Sequence, residues 1–400
     1  MLVARTHHQL DEIPAPQWDA LHDGRNPFVA HAFLSGLERH GCLRAGWGWV
    51  PRHLGLWEDG ELVAAAPAYA KQNSHGEFVF DHAWAHAYAQ HGLEYFPKWL
   101  CAVPYSPVTG PRLLARSPEH RKPLLEAFAE LCRRDGFSSV HVNFHAADED
   151  HLFGGIGEAG ANADPRAAQG DADGWLQRLD VQYHWRNPSR DGARAWHDFD
   201  DFLGAFDHKH RKNIRQERAR VARSGVTFRV VDGHQASDEE LQTIHGFYLR
   251  TFAEYGNHPA LTLGFLRHLA THMPASLVLF LAERDGEAVA GTLCLRGGTT
   301  LYGRYWGSSA AIPGLHFETC YYQGIDYCLR EGLDCFEPGA QGEHKLARGF
   351  LPSLVRSRHW IAEPGFRETL RGWCRQEARS VVRYAAALAS RSPFKQSPDP

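Results

Sequence analysis

Four hundred residues exceed the length at which one hydrophobic core stops growing, so two domains or two fused half-domains are expected. A formal charge of -4 excludes a chain whose whole surface binds nucleic acid and leaves room for a local basic patch. With 12 Trp and 22 Phe a large core can be buried, yet no apolar run approaches membrane-spanning length and Met1 to Pro14 carries no signal peptide, which predicts a soluble, cytoplasmic protein. Eight Cys without a C-x-x-C pair fit reduced thiols. The 26 His show neither H-E-x-x-H nor finger spacing, so no metal site is expected.

Taken in order, Asn26 to Arg39 reads as a helix opened by Asn26-Pro27. His53 to Trp57, the turn at Asp59-Gly60 and Glu61 to Ala70 form a hairpin, and Glu77 to Asp81 reads as a third strand. Lys122 to Arg134 is an amphipathic helix closed at Gly136, and Ser139 to Phe144 the strand after it. The second half repeats the order. Leu277 to Glu283 and Glu287 to Arg296 flank Asp285-Gly286, Thr299 to Trp306 follows, then the helix Phe317 to Glu331, Gly332, and the strand Leu333 to Phe336. Asp59-Gly-Glu-Leu-Val-Ala-Ala65 matches Asp285-Gly-Glu-Ala-Val-Ala-Gly291, and Arg134-Asp-Gly-Phe137 matches Arg330-Glu-Gly-Leu333. An internal repeat is therefore expected. The expected boundaries are a first half over 1–153, a flexible Gly/Ala/Asp-rich loop over 154–174, a second half over 175–389 and a disordered tail over 390–400. The second half also holds helices over 238–255 and 263–273, and ends in a helix over 366–389.

Two stretches concentrate chemistry. Lys209 to Arg223 sets Lys209, Arg211, Lys212, Arg215, Arg218, Arg220 and Arg223 against one acid, Glu217, while Phe206, Ile214 and Val221 recur near helical spacing. Such a strip attracts phosphates; as a mere solvated face it would pair with acids elsewhere. Glu337 to Phe350 breaks a strand at Pro338 and Gly339, then sets out Gln341, Glu343, His344, Lys345 and Arg348 between glycines. A turn held by a strand is where a rigid scaffold presents reactive groups.

The strand order resembles that of the GNAT acyltransferases, and two fused copies resemble the Fem-type peptidoglycan amino-acid ligases. The phrases Asn26-Pro-Phe-Val-Ala-His-Ala-Phe-Leu34, Pro107-Val-Thr-Gly-Pro-Arg112, Gln182-Tyr-His-Trp185, Lys209-His-Arg-Lys-Asn-Ile-Arg-Gln-Glu-Arg218 and Glu337-Pro-Gly-Ala-Gln-Gly-Glu-His-Lys345 are similar to those of the bacterial FemAB-like predicted N-acyltransferases. The resemblance implies an α/β (α+β) fold of two tandem GNAT-like (acyl-CoA N-acyltransferase) units. It implies transfer of an acyl or aminoacyl group to an amine, linked to peptidoglycan precursors. The alternative is a non-catalytic binding protein for a peptidoglycan-like or phosphate-bearing ligand.

In that fold the donor carbonyl sits where two parallel strands splay, here Leu301 to Trp306 and Leu333 to Glu337. The resemblance makes Lys345 the cation that stabilises the oxyanion and leaves the proton relay to Glu343 or His344, with Glu337 in reserve. On an extended segment Glu343 and Lys345 share a face, and Tyr302, Arg304 and Trp306 share another. These three, with Glu337, Gln341, Arg348, Lys209, Arg211, Lys212 and Arg215, are the substrate-binding candidates. No tightly bound cofactor is expected, and acyl-CoA or aminoacyl-tRNA is the co-substrate. Arg304-x-x-Gly307-x-Ser309 matches the R-x-x-G-x-G/A pyrophosphate turn imperfectly, which weighs against acyl-CoA.

Overall fold

The computed structural model describes residues 1–154, 174–187, 189–190, 193–340 and 342–395. Most of the loop expected over 154–174, the residue Gln341 and the last five of the tail expected over 390–400 lie outside the described residues. The chain divides into two compact units. One comprises Met1–Val181 and Leu354–Tyr384, the other Gln182–Ser353 and Ala385–Pro400. The expected boundary near 175 is thus corrected at the C-terminus: most of the last helix, Pro364–Ala389, belongs to the first unit. There Leu370 and Cys374 pack with Trp84, Tyr88 and Ile361.

The principal strands in chain order are β1 (Leu2–His7), β2 (His53–Glu58), β3 (Glu61–Ala66), β4 (Ala68–Lys71), β5 (Lys98–Cys101), β6 (Ser139–Asn143), β7 (Trp175–Arg186), β8 (Thr227–Asp232), β9 (Leu277–Arg284), β10 (Glu287–Gly297), β11 (Thr300–Ser308), β12 (Cys335–Glu337) and β13 (Leu351–Ile361). In the second unit β8, β9, β10 and β11 pair antiparallel in that order, β11 pairs parallel with β12, and β12 pairs antiparallel with the end of β7. In the first unit β1, β2 and β3 pair antiparallel, β4 with β5 likewise, β5 pairs parallel with β6, and β6 pairs antiparallel with β13. The pairing sequence is the same in both, with β3 and β4 standing where β10 runs unbroken. The two units thus repeat one strand order, as the internal repeat in the sequence led one to expect.

Local chemistry repeats as well. Each Asp-Gly turn has both residues at positive φ, Asp59 and Gly60 in one hairpin and Asp285 and Gly286 in the other, the conformation that matches strand twist. Each hairpin then slips by one residue at the same place, Val63 in the first and Val289 in the second. Both helices that precede the parallel strand end on a left-handed glycine, Gly136 and Gly332. Beyond it the Phe137 amide donates to the Cys132 carbonyl at 3.0 Å and the Leu333 amide to the Cys328 carbonyl at 2.7 Å. That is the helix stop in which the chain folds back on its last turn.

Three expectations are corrected. The third strand of the first unit is β5, not Glu77 to Asp81. Phe78 takes a φ of 60° and breaks extension, and Glu77 and Asp81 are buried because both pair with Lys98. The 26–39 helix is a short 3-10 turn, Pro27–Val29, followed by the helix His31–Arg39. Within the tail expected to be disordered, Phe394 packs on Phe206 with ring centroids 4.7 Å apart, and Lys395 donates to the Gly204 carbonyl at 2.8 Å.

Two of the quoted phrases prove to be bracing in the first unit. Asn26 accepts from the Phe28 amide and donates to the Thr109 carbonyl at 3.2 Å. Arg112, fully buried, donates to the Asn143 carbonyl at 2.9 Å and to the Val108 carbonyl, while Glu149 accepts from the amides of Arg112 and Leu113.

Candidate active site

The site forms in the second unit, where β11 and β12 part. Their parallel pairing covers only Thr300–Cys335, Leu301–Phe336 and Tyr302–Glu337, after which β11 runs on to Ser308 and β12 stops. Gly303 lets the departing chain pass. A Cβ there would stand 3.3 Å from both the Phe336 ring and the Pro338 Cα.

Arg304 sits in this fork on a bulge. Leu293 pairs with Tyr305 and Cys294 with Gly303, which leaves Arg304 as the extra residue of β11. A bulge re-aims side chains and shifts the alternation beyond it. Tyr302, Arg304 and Trp306 therefore do not share a face. Tyr302 stands beside Glu337, whereas Trp306 is opposite Thr292 and packs on His316 at 5.0 Å. Arg304 is half-buried, with its Nε and Nη2 atoms shielded from solvent. Burial holds its guanidinium below the ordinary value, with Glu337 opposing.

The segment Glu343–Arg348 is a 3-10 helix rather than an extended run. Neighbours three apart then align, so Lys345 and Arg348 turn inward and Glu343 turns out. Glu343 is exposed, with Arg391 3.6 Å away, and does not share a face with Lys345. Lys345 is buried, and its ammonium donates to the Gly339 carbonyl at 2.8 Å. Burial pulls its pKa down to about 8, the Cys320 thiol opposing and Arg304 adding to the fall. His344 is exposed, with Nε2 2.9 Å from the Tyr321 hydroxyl. Burial, then Arg348 and Lys345, lower its pKa, so the imidazole is neutral near pH 7. Arg348 is already engaged: it pairs with Glu217 at 2.7 Å, donates to the His344 carbonyl at 2.7 Å and lies 3.5 Å from the Phe317 ring centroid.

Sequence reasoning gave no role to Cys320 or His184. Cys320 lies in a π-helical stretch, Glu318–Tyr322, of the kind that gathers at functional sites. Its thiol is raised well above the ordinary range by burial. His184 belongs to a quoted phrase, but the phrase carried no chemistry by spacing. Burial, then Arg186, Arg304 and Lys345, lower its pKa to about 3.

The basic helix is His208–Arg223, capped by the Asp207 side chain accepting from the His210 amide. Ile214 and Val221 are buried. Arg218 turns inward to Asp326 at 2.7 Å and Glu318 at 3.2 Å. His208, Arg211, Lys212, Arg215 and Arg223 instead line an open groove of about 590 Å³. Lys209 is exposed but does not line that groove.

A sequence model of the FemAB-like family, described as peptidoglycan biosynthesis/recognition, matches residues 9–396. The chain belongs to the FemAB-like family. No curated protein matches it. Similar solved structures include FemX, 14% identical over 89% of this chain and 97% of that one with a TM-score of 0.49. Another is the C-terminal domain of a putative lysylphosphatidylglycerol synthetase from Agrobacterium fabrum, 12% identical over 94% and 96% with a TM-score of 0.49. A third is a tandem GNAT protein from the clavulanic acid biosynthesis pathway, 13% identical over 91% and 99% with a TM-score of 0.43. Among the described residues, no helix of this FemAB-like chain is long and apolar enough to cross a membrane.

Proposed function

We propose that the crevice of the second unit transfers an acyl or aminoacyl group from an activated donor to an amine of a peptidoglycan precursor, in the cytoplasm. The observation that carries this reading is the buried Lys345 ammonium at the fork of β11 and β12, near Arg304. A fixed cation in a dry crevice stabilises charge that develops only in the transition state.

The amine nitrogen attacks the donor carbonyl carbon, and the carbonyl electron pair moves to oxygen, where Lys345 stabilises it. Collapse breaks the bond to the leaving oxygen or sulfur. The amine proton passes to the neutral His344, which returns it to the leaving group. Arg211, Lys212 and Arg215 hold the phosphates of the donor in their groove. The donor is an aminoacyl-tRNA or an acyl-CoA; no tightly bound cofactor takes part.

The family description also covers recognition, which favours a second reading, a binding protein without turnover. A transfer assay with aminoacyl-tRNAs and acyl-CoAs against precursor peptides separates the two. Product formation that needs Lys345 supports transfer. Calorimetric binding of the peptides with no product from either donor class supports recognition alone.

A further inference from the structure

The pairing of β12 with the end of β7 sets Cys335 opposite Arg186 and Phe336 opposite Trp185, so the next rung places His184 beside Glu337. Cys335 and Glu337, two apart on one strand, share a face. One donor atom from each of His184, Cys335 and Glu337 lies within 4.8 Å of the other two, and all three residues are buried. Among the described residues this is the one group of three such donors that close.

A second observation points to a ligand. His184 Nε2 stands 3.1 Å from the Gln182 side-chain oxygen, whereas the buried Nδ1 has no hydrogen-bond partner. A buried polar atom left without a partner calls for an explanation. With Nε2–H donating to Gln182, Nδ1 carries the bare lone pair, and a metal-binding imidazole is held by such a hydrogen bond on its other nitrogen.

We propose that His184, Cys335 and Glu337 bind a divalent cation of the zinc class. One thiolate, one imidazole and one carboxylate suit a borderline-soft ion and are a poor set for magnesium or calcium. Three protein ligands leave a fourth tetrahedral position open. Bonds of about 2.0–2.3 Å place tetrahedral donors roughly 3.3–3.8 Å apart, so the three side chains close by about an ångström on binding. The Cys335 thiol gives up its proton as the sulfur–metal bond forms. Thiolate and carboxylate then neutralise the ion, which lets it sit near Arg304 and Lys345. This site is independent of the transfer reaction proposed above.

The test uses the full chain, stripped with a chelator and titrated with Zn²⁺ or Co²⁺ alone. One ion per chain is expected, and the cobalt form should show the intense thiolate-to-metal absorption band. Cys335→Ser should abolish that band, Gln182→Leu should weaken affinity about tenfold, and Cys374→Ser should leave both unchanged. Should Cys335→Ser fail to fold, the wild-type chain still decides: zinc must protect Cys335, and not the other cysteines, from alkylation read by mass spectrometry. Absence of stoichiometric binding, or a cobalt band that survives loss of Cys335, overturns the proposal.

Discussion

Arg348 and Glu217 meet at 2.7 Å, so that the turn bearing Lys345 is tied to the basic helix. The Tyr322 hydroxyl donates to the other oxygen of the same carboxylate. The tie makes Arg348, one of the substrate-binding candidates, a brace of this turn. Arg348→Ala leaves a partly exposed carboxylate with only the Tyr322 hydroxyl and frees the His344 carbonyl, and should lower stability by about 1–3 kcal/mol. Arg348→Lys, which keeps the charge but not the planar fork, should recover part of that. Thermal melts check this. An Arg348→Ala melting temperature equal to wild type would show that the pair braces nothing.

The groove on the basic helix makes a separate claim. Arg211, Lys212 and Arg215 line it, while Arg218 is held by Asp326 and Glu318. Replacing the first three with Gln should weaken binding of tRNA or CoA. It should also flatten the salt dependence, by roughly two in the log–log slope if each charge meets a phosphate. Arg218→Gln should instead lower the melting temperature and leave that slope alone. A triple variant with the wild-type slope would reduce the strip to a solvated face.

The first unit carries its own buried charges. Lys98 lies 2.9 Å from Glu77 and also pairs with Asp81, which accepts from the Ser74 and Tyr95 hydroxyls. Burial raises Glu77 to about 7, with Lys98 opposing. Lys98→Met leaves two acids without their cation and should cost about 3–5 kcal/mol in urea or thermal unfolding. Adding Glu77→Gln and Asp81→Asn to that variant should recover much of the loss. Were Lys98→Met alone as stable as wild type, the cluster would not hold this unit together.

What could be read from the chain was whatever is encoded within a few residues. Asp59-Gly60 and Asp285-Gly286 announced their hairpins because only that turn suits both residues. Gly136 and Gly332 marked helix ends for the same reason. The spacing of Ile214 and Val221 gave the buried face of the basic helix, whereas Phe206, read with them, lies before that helix and packs on Phe394. Side-chain direction was misread where a bulge, a tighter helical winding or a strand pairing intervened. The bulge at Arg304 depends on how β10 lies alongside β11, and it turned Trp306 away from Tyr302. The 3-10 winding of Glu343–Arg348 parted Glu343 from Lys345. The pairing of β7 with β12 joined His184 to Cys335 and Glu337, which no spacing rule connects.

Lys345 offers the sharpest test, because its two readouts have independent signs. Burial sets its folded pKa at about 8, below the 10.5 of an unfolded chain. Between those values the unfolded state holds a proton that the folded state has released, so stability rises with pH there. Below pH 8 the penalty is present in full, on the order of 3 kcal/mol. Lys345→Met removes it. The variant's stability relative to wild type should therefore fall steadily between pH 8 and 10.5. Catalysis runs the other way. A protonated Lys345 facing the oxyanion predicts that wild-type kcat declines as pH rises through about 8. Lys345→Met should retain substrate binding, lose about 10²–10³ in kcat and show no such decline. If Lys345 only holds the loop at Gly339, the variant keeps its turnover at saturating substrate and shows only the stability change. Undiminished kcat in a folded Lys345→Met protein would remove this residue from the chemistry.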